Sequence, residues 1–313
     1  MRAEWLPLPL REWQDTQIGL QLRTQIVGKT RLALAPMQNH WWQVALYVTT
    51  RGLGTSPMPY RGRSLEIDFD FLEHALVART SDGAVRSLPL RPQPIAEFFR
   101  DYQAMLHELG ADVHIWSMPQ EIADPVPFVQ DQGHAAYDRD AVARLFQVLC
   151  RVDRLLKAFR GRFLGKSSPS HFWWGGFDIA CTRFSGRPAP QHPGGIPHLA
   201  DFVTREAYSH ECISGGWWPG TAGGPFGDAA FYAYAYPEPP GCATSPIRPS
   251  IARYNATLRE WVLPHADLVG ADDPDATVLE FLQSTYDVAS QLGSWDRSLE
   301  RPTPSFQAAT SKA

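Results

Sequence analysis

An α+β fold made of two similar halves is what this chain predicts, and three observations predict it. Amphipathic helices bracket each half, short alternating segments with antiparallel turn chemistry lie between them, and a tryptophan-centred motif occurs twice. At 313 residues the chain is long enough for two such units around a substantial core.

The first half, residues 1–118, opens on Thr16 to Arg31, a helix of weak period. Ser64 to Phe71, Leu76 to Thr80 and Val85 to Leu90 follow as a meander, the last two joined by the turn Ser81-Asp82-Gly83. Pro94 to Leu109 closes the half, with Ile95, Phe98, Phe99, Tyr102, Met105 and Leu106 on one helical face and Gly110 as its stop. A Pro-rich stretch, 119–137, connects to the second half, 138–300. There Ala141 to Phe159 forms a helix capped by Asp138 or Asp140, and Trp174 to Phe184, Ala229 to Tyr236 and Asn255 to Leu263 read as strands. Pro274 to Leu292, between Asp273 and Gly293, is the closing helix. Residues 301–313, rich in Pro, Ser, Thr and Ala, read as a disordered tail.

The repeat is legible directly. WWQVALYVTTR from Trp41 and WWGGFDIACTR from Trp173 align without a gap, each preceded by a His (His40, His171) and further back by Gly-Lys (Gly28-Lys29, Gly165-Lys166). This predicts a pseudo-two-fold, with Trp41 superposing on Trp173 and Arg51 on Arg183. The halves differ after the motif. A short loop follows the first copy, whereas 185–228 follows the second as a long insertion rich in Gly and Pro. It carries His192, His198, Glu206, His210, Glu211, Trp217 and Trp218, and loops of that length are commonly functional.

A formal charge of −4 without any Lys/Arg cluster argues against nucleic acid as a partner. No run approaches the roughly 18 apolar residues of a membrane span, and Met1 to Glu12 lacks the continuous apolar stretch of a signal peptide. Cys150, Cys181, Cys212 and Cys242 make no C-x-x-C pair and read as reduced thiols of a cytoplasmic protein, Cys150 and Cys181 in the core.

Chemistry centres on Glu206 and His210. On a helix running from Leu199 to His210 they are four residues apart and fall within the apolar arc of Leu199, Phe202, Val203 and Ala207. An ionised Glu on a core-facing stripe needs a partner. Three readings stay open: a divalent metal (Zn, Fe or Mn) held with His192 and His198, a metal-free acid–base dyad, or a structural pair with Arg183 or Arg187. The motif is not H-E-x-x-H, so no metalloprotease signature is present. Asp178, after Gly175-Gly176, is a third catalytic candidate or an outward-facing strand residue. Trp174, Trp217, Trp218, Tyr234 and Arg183 are candidate ligand-binding residues, since Trp doublets and the alternating Tyr232, Tyr234 and Tyr236 offer stacking faces. The expected function is an enzyme on a small polar or aromatic substrate, a hydrolase ahead of a non-haem metal oxidoreductase; the alternative is a non-catalytic binding protein for a sugar or other small molecule.

The chain also resembles an uncharacterised bacterial family known only as a domain of unknown function. Asn39-His40-Trp41-Trp42, Glu66 to Phe71, His171 to Asp178, Thr182 to Arg187, His192 to Gly195, Glu206 to Glu211 and Phe231 to Gly241 carry the resemblance. It spans nearly the whole chain and implies no activity.

Overall fold

The computed structural model describes residues 5–196, 199–221 and 227–301. The fold mixes helices with antiparallel strands, as an α+β chain should, though a short helix interrupts the strands of the second half. Helix α1 (Gln14–Leu34) precedes strands β1 (Tyr47–Val48), β2 (Gly52–Gly54), β3 (Met58–Tyr60), β4 (Arg63–Asp70), β5 (Ala75–Thr80) and β6 (Val85–Pro89), and helix α2 (Ile95–Glu108) follows. The second half begins with α3 (Arg139–Arg160), whose Asp138 cap accepts from the amides of Asp140 and Ala141. Strands β7 (His171–Trp173) and β8 (Asp178–Pro188), helix α4 (Asp201–Ala207), strands β9 (His210–Trp218), β10 (Ala230–Tyr236), β11 (Arg253–Asn255) and β12 (Glu260–Pro264), and helix α5 (Pro274–Leu292) complete it.

All strand pairs are antiparallel. The first sheet runs β1-β2-β4-β5-β6, with β3 also paired to β4, and the second runs β11-β12-β10-β9-β8-β7. The sheets meet edge to edge, Leu46 and Phe172 exchanging two backbone hydrogen bonds of 2.9 and 2.8 Å. Helices α3 and α5 cover one face of the second sheet. Period-2 alternation places Ile179 and Cys181, Ile213 and Trp217, Phe231 and Ala233, and Trp261 and Leu263 on that face, and all are buried. Gly215 is there because α5 comes so close that an added methyl would lie 2.6 Å from Leu282. No helix among the described residues is long and apolar enough to cross a membrane.

Several expectations are corrected. The aligned Trp-Trp motifs fold differently: His40 and Trp41 sit in a left-handed turn, whereas Trp173 ends β7 and Trp174 to Phe177 turn toward β8. Arg51 is an exposed ion-pair partner of Asp70, whereas Arg183 is wholly buried. The described residues of 185–228 are not a loop insertion. Strand β8 extends to Pro188, and β9 is an interior strand of the sheet. The helix expected at 199–210 spans only Asp201–Ala207, because the chain from His210 onward joins the sheet, with Cys212 to Trp217 paired to both β8 and β10. Phe202, placed on the core arc by the longer helix, is 63% exposed. Cys150 is exposed rather than core. The tail beyond Arg301 lies outside the described residues.

Candidate functional site

The second sheet's other face is polar and aromatic, and its floor follows from strand register. Asp178, Thr182 and Phe184 come from β8, His210, Cys212, Ser214, Gly216 and Trp218 from β9, Tyr232, Tyr234 and Tyr236 from β10, and Glu260 from β12. The turn at 39–44 from the first half and the inter-half connection around Glu121 reach over it, and α4 flanks it.

At one end Tyr232 crosses β9 to donate its hydroxyl to Asp178 on β8. Gly216 makes this possible, since a methyl there would lie 2.6 Å from the Tyr232 hydroxyl oxygen and 2.6 Å from the Ile179 carbonyl. Glu121 folds inward over the Gly175-Gly176 turn, where a methyl on Gly175 would sit 2.1 Å from its Oε1. A methyl on Gly176 would be 3.0 Å from Asp178 Oδ1 and 3.4 Å from Glu121 Oε2, so the two carboxyls face each other across that glycine. The turn is held by Gln21 Nε2 and Trp218 Nε1, which donate to the Gly175 and Gly176 carbonyls at 2.6 and 3.0 Å.

No cation pairs with Asp178, Glu121 or Glu260 in any hydrogen bond or salt bridge among the described residues. Burial pushes the Asp178 carboxyl up to about 6, with the Tyr232 hydrogen bond opposing. Burial and then the neighbouring Asp178 charge push Glu121 and Glu260 up to about 7 each. Asp178, Glu260, Tyr208, Tyr232 and Tyr234 nevertheless keep part of their surface accessible, and Glu121 is an exposed residue whose carboxyl lies over the Gly175-Gly176 turn. Groups that lose most of their hydration yet still meet water line a recess. Tyr234 stacks on Tyr232 at 6.2 Å and its hydroxyl meets that of Tyr208 at 2.9 Å. Toward β11 the same face deepens into a hollow of about 120 Å³ lined by Asp228, Ala230, Arg253, Asn255, Val262 and Pro264.

The other end is built around His40. Its ring stacks on Phe184 at 4.5 Å, contacts His210 at 5.6 Å, and is 4% exposed. Nδ1 lies 2.9 Å from the Ala207 carbonyl and Nε2 lies 2.7 Å from Lys166 Nζ. Glu206 Oε1 accepts the His40 backbone N–H at 3.3 Å. His40 and Trp41 have φ of 59° and 61°, a left-handed conformation costing on the order of 1–3 kcal/mol per non-glycine residue. Burial lowers the His40 pKa, with Lys166 and His210 reinforcing and the Ala207 carbonyl opposing.

Glu206 and His210 are thus brought together around His40, but from a helix end and a strand rather than one helix face. His192 stacks on Tyr208 at 4.9 Å and lies tilted against Tyr236 at 5.0 Å, and its Nδ1 accepts from Gly194 N–H. His198 lies outside the described residues. Among the described residues no three His, Cys, Asp or Glu side chains are grouped to hold a metal ion. Asp178, Trp218 and Tyr234 lie on the cleft face. Trp217 does not: it is buried under the helices and donates to His265 Nδ1 at 3.2 Å. Trp174 is buried against Gly28, its indole N–H on the Val44 carbonyl at 2.8 Å. Arg183 is sandwiched between Phe159 and Tyr286 at 3.6 and 4.2 Å. Strand parity accounts for Trp217 and Arg183, which fall on the helix side once the register is known. Sequence reasoning missed Glu121, Tyr232 as the Asp178 partner, Glu260 and Lys166. The Gly215-Gly216 pair opposite a tyrosine strand was a usable signal for Tyr232; nothing local marked Glu121.

The model of a family of unknown function, DUF5996, matches residues 5–301, and the chain belongs to that family. No curated protein and no solved structure matches it.

Proposed function

We propose that this member of the family is an enzyme performing acid–base chemistry on a small polar substrate, with hydrolysis the best fit. The observation that carries the reading is the Asp178–Tyr232 hydrogen bond facing the Glu121 carboxyl in a recess that excludes most, not all, water. Two carboxyls raised to about 6 and about 7 split the roles near neutral pH. Asp178, mostly ionised, takes a proton from the attacking water; Glu121, partly protonated, gives one to the leaving group. Tyr232 keeps Asp178 oriented, and Trp218 and Tyr234 form walls against which a sugar or aromatic ring stacks.

Untagged protein assayed against chromogenic esters, phosphoesters and glycosides tests this. Turnover should appear with one class, survive chelator, and fall by about 10²-fold or more in Asp178→Asn. A chelator-sensitive rate would instead move the chemistry to the metal set expected at His192, His198, Glu206 and His210. The alternative of a non-catalytic binder is favoured by the Tyr232–Tyr234 stack and by His192 lying against Tyr208 and Tyr236. Saturable tryptophan quenching by a sugar, without turnover and unchanged in Asp178→Asn, would select it.

A further inference from the structure

The chain has four lysines, Lys29, Lys157, Lys166 and Lys312, and Lys166 directly meets an imidazole. We propose that Lys166 is a nucleophilic amine that condenses with an aldehyde, with His40 as its base and the Ala207 carbonyl orienting that base. A carbonyl only accepts, so the 2.9 Å contact puts the ring hydrogen on His40 Nδ1. Nε2 then turns a lone pair toward Lys166 Nζ at 2.7 Å. Nucleophile, base and orienting group in hydrogen-bond sequence is the arrangement that activates a weak nucleophile. The base is immobile, since its ring is buried on Phe184 and its left-handed backbone is tied to Glu206. The amine is accessible, for Lys166 is exposed and its Nζ lies over the rings of Phe184 at 5.0 Å and Trp42 at 5.5 Å. Of the two, the partly exposed Trp42 ring gives a flat carbonyl compound a wall to lie on, while Phe184 is buried beneath His40. Partial burial lowers the ammonium's pKa against the opposing Glu206 charge.

The steps balance. Lys166 passes one proton to His40 Nε2, and the free amine adds to the aldehyde carbon while the carbonyl π pair moves to oxygen. An amine proton shifts to that oxygen, His40 returns its own to the resulting hydroxyl, and water leaves a protonated imine. His210 and Gly216 are six residues apart on β9, about 20 Å of strand, so this centre is separate from the Asp178 recess and does not rest on its assignment.

Benzaldehyde with cyanoborohydride at near-neutral pH, read lysine by lysine by peptide mass mapping, tests the proposal. Hydride reduction fixes each imine as a stable secondary amine. Lys166 should be labelled on the order of tenfold faster than Lys157 in the folded protein, and all lysines alike in denaturant. His40→Gln should remove the preference. Because a folding defect would do the same, Glu206→Gln, which keeps an acceptor for the His40 amide, should retain it. Equal labelling of Lys166 and Lys157 in folded wild type, or incorporation concentrated at Lys29, would overturn the assignment.

Discussion

Asp178 and Arg183 stand on one strand and meet opposite environments, because an odd offset sends them to opposite faces of the sheet. Arg183 is fully buried beneath α3 and α5. Its charge is met by two aromatic faces and the Phe159 carbonyl, and its Nε and Nη1 have no hydrogen-bond partner. Asp178 is desolvated too, but it opens on a recess beside two further carboxyls without a counter-ion. A buried charge therefore does not mark a site by itself. The marker is a desolvated charge that water, and so a ligand, still reaches.

The most forceful way to break the comparison is at Arg183. Truncation to Ala removes a large side chain from between Phe159 and Tyr286, and should cost about 3–5 kcal/mol in urea unfolding. Arg183→Met, which refills the slot without the charge, should fall within about 1.5 kcal/mol of wild type. Both variants, where folded, should retain ligand binding and turnover. A folded Arg183→Met protein that loses either would put the functional face on the helix side.

Gly216→Ala acts on the other face. The new methyl meets the Ile179 carbonyl and the Tyr232 hydroxyl, so we expect a loss of about 1–3 kcal/mol. The larger consequence is functional, because Tyr232 is displaced from Asp178. Wild-type turnover in a folded Gly216→Ala protein would show that the Tyr232–Asp178 bond is not part of the chemistry.

Which of these residues were legible from sequence has a physical pattern. Helices with a clean apolar stripe, such as 95–108 and 139–160, were readable because periodicity and caps are local. The meander at 63–89 was readable for the same reason. Failures clustered where a tertiary ladder overrode a local pattern. His210 to Trp218 looked like part of a Gly-rich loop, yet pairing on both edges makes it an interior strand. Glu206 and His210 share no helix face; each contacts His40 from the first half, a relation that no local period encodes. Asp178, Trp218 and Tyr234 lie on the cleft face, whereas Trp217 and Arg183 fall beneath the helices by strand parity and Trp174 is buried in the turn after β7. Glu121 reaches the recess from the connection between the halves, where nothing local in the sequence marks it.

Glu206 sharpens the picture at a smaller scale. A helix-borne core Glu would cost about 3–5 kcal/mol to remove. Half-buried at the end of α4 and accepting one backbone N–H, it should cost about 1 kcal/mol in Glu206→Ala. The loss should appear with a weakened Lys166–His40 contact, read as a changed His40 imidazole signal by NMR. A loss of several kcal/mol would restore the buried-pair picture.

The last expected effect concerns pH. Asp178, Glu121 and Glu260 all have folded-state pKa values raised above the ordinary carboxylate range. Between about pH 4 and 7 the native protein therefore holds more protons than the unfolded chain at these groups, and they make stability fall as pH rises through that window. Two carboxylates act oppositely: Asp70 and Asp275 are lowered, burial being outweighed by the hydrogen bonds of Arg51 and the Leu72 and Glu73 amides to Asp70 and of Arg151 and Arg154 to Asp275, so their contribution is lost as pH falls. Asp178→Asn removes one raised group while leaving an acceptor for Tyr232. Its unfolding free energy should gain on wild type as pH climbs from about 4 to 7, by less than about 1.4 kcal/mol per unit because the recess remains partly hydrated. Parallel stability–pH curves for the two proteins would mean that Asp178 ionises as freely folded as unfolded. The recess would then lack the desolvation that sets Asp178 apart from an ordinary surface carboxylate.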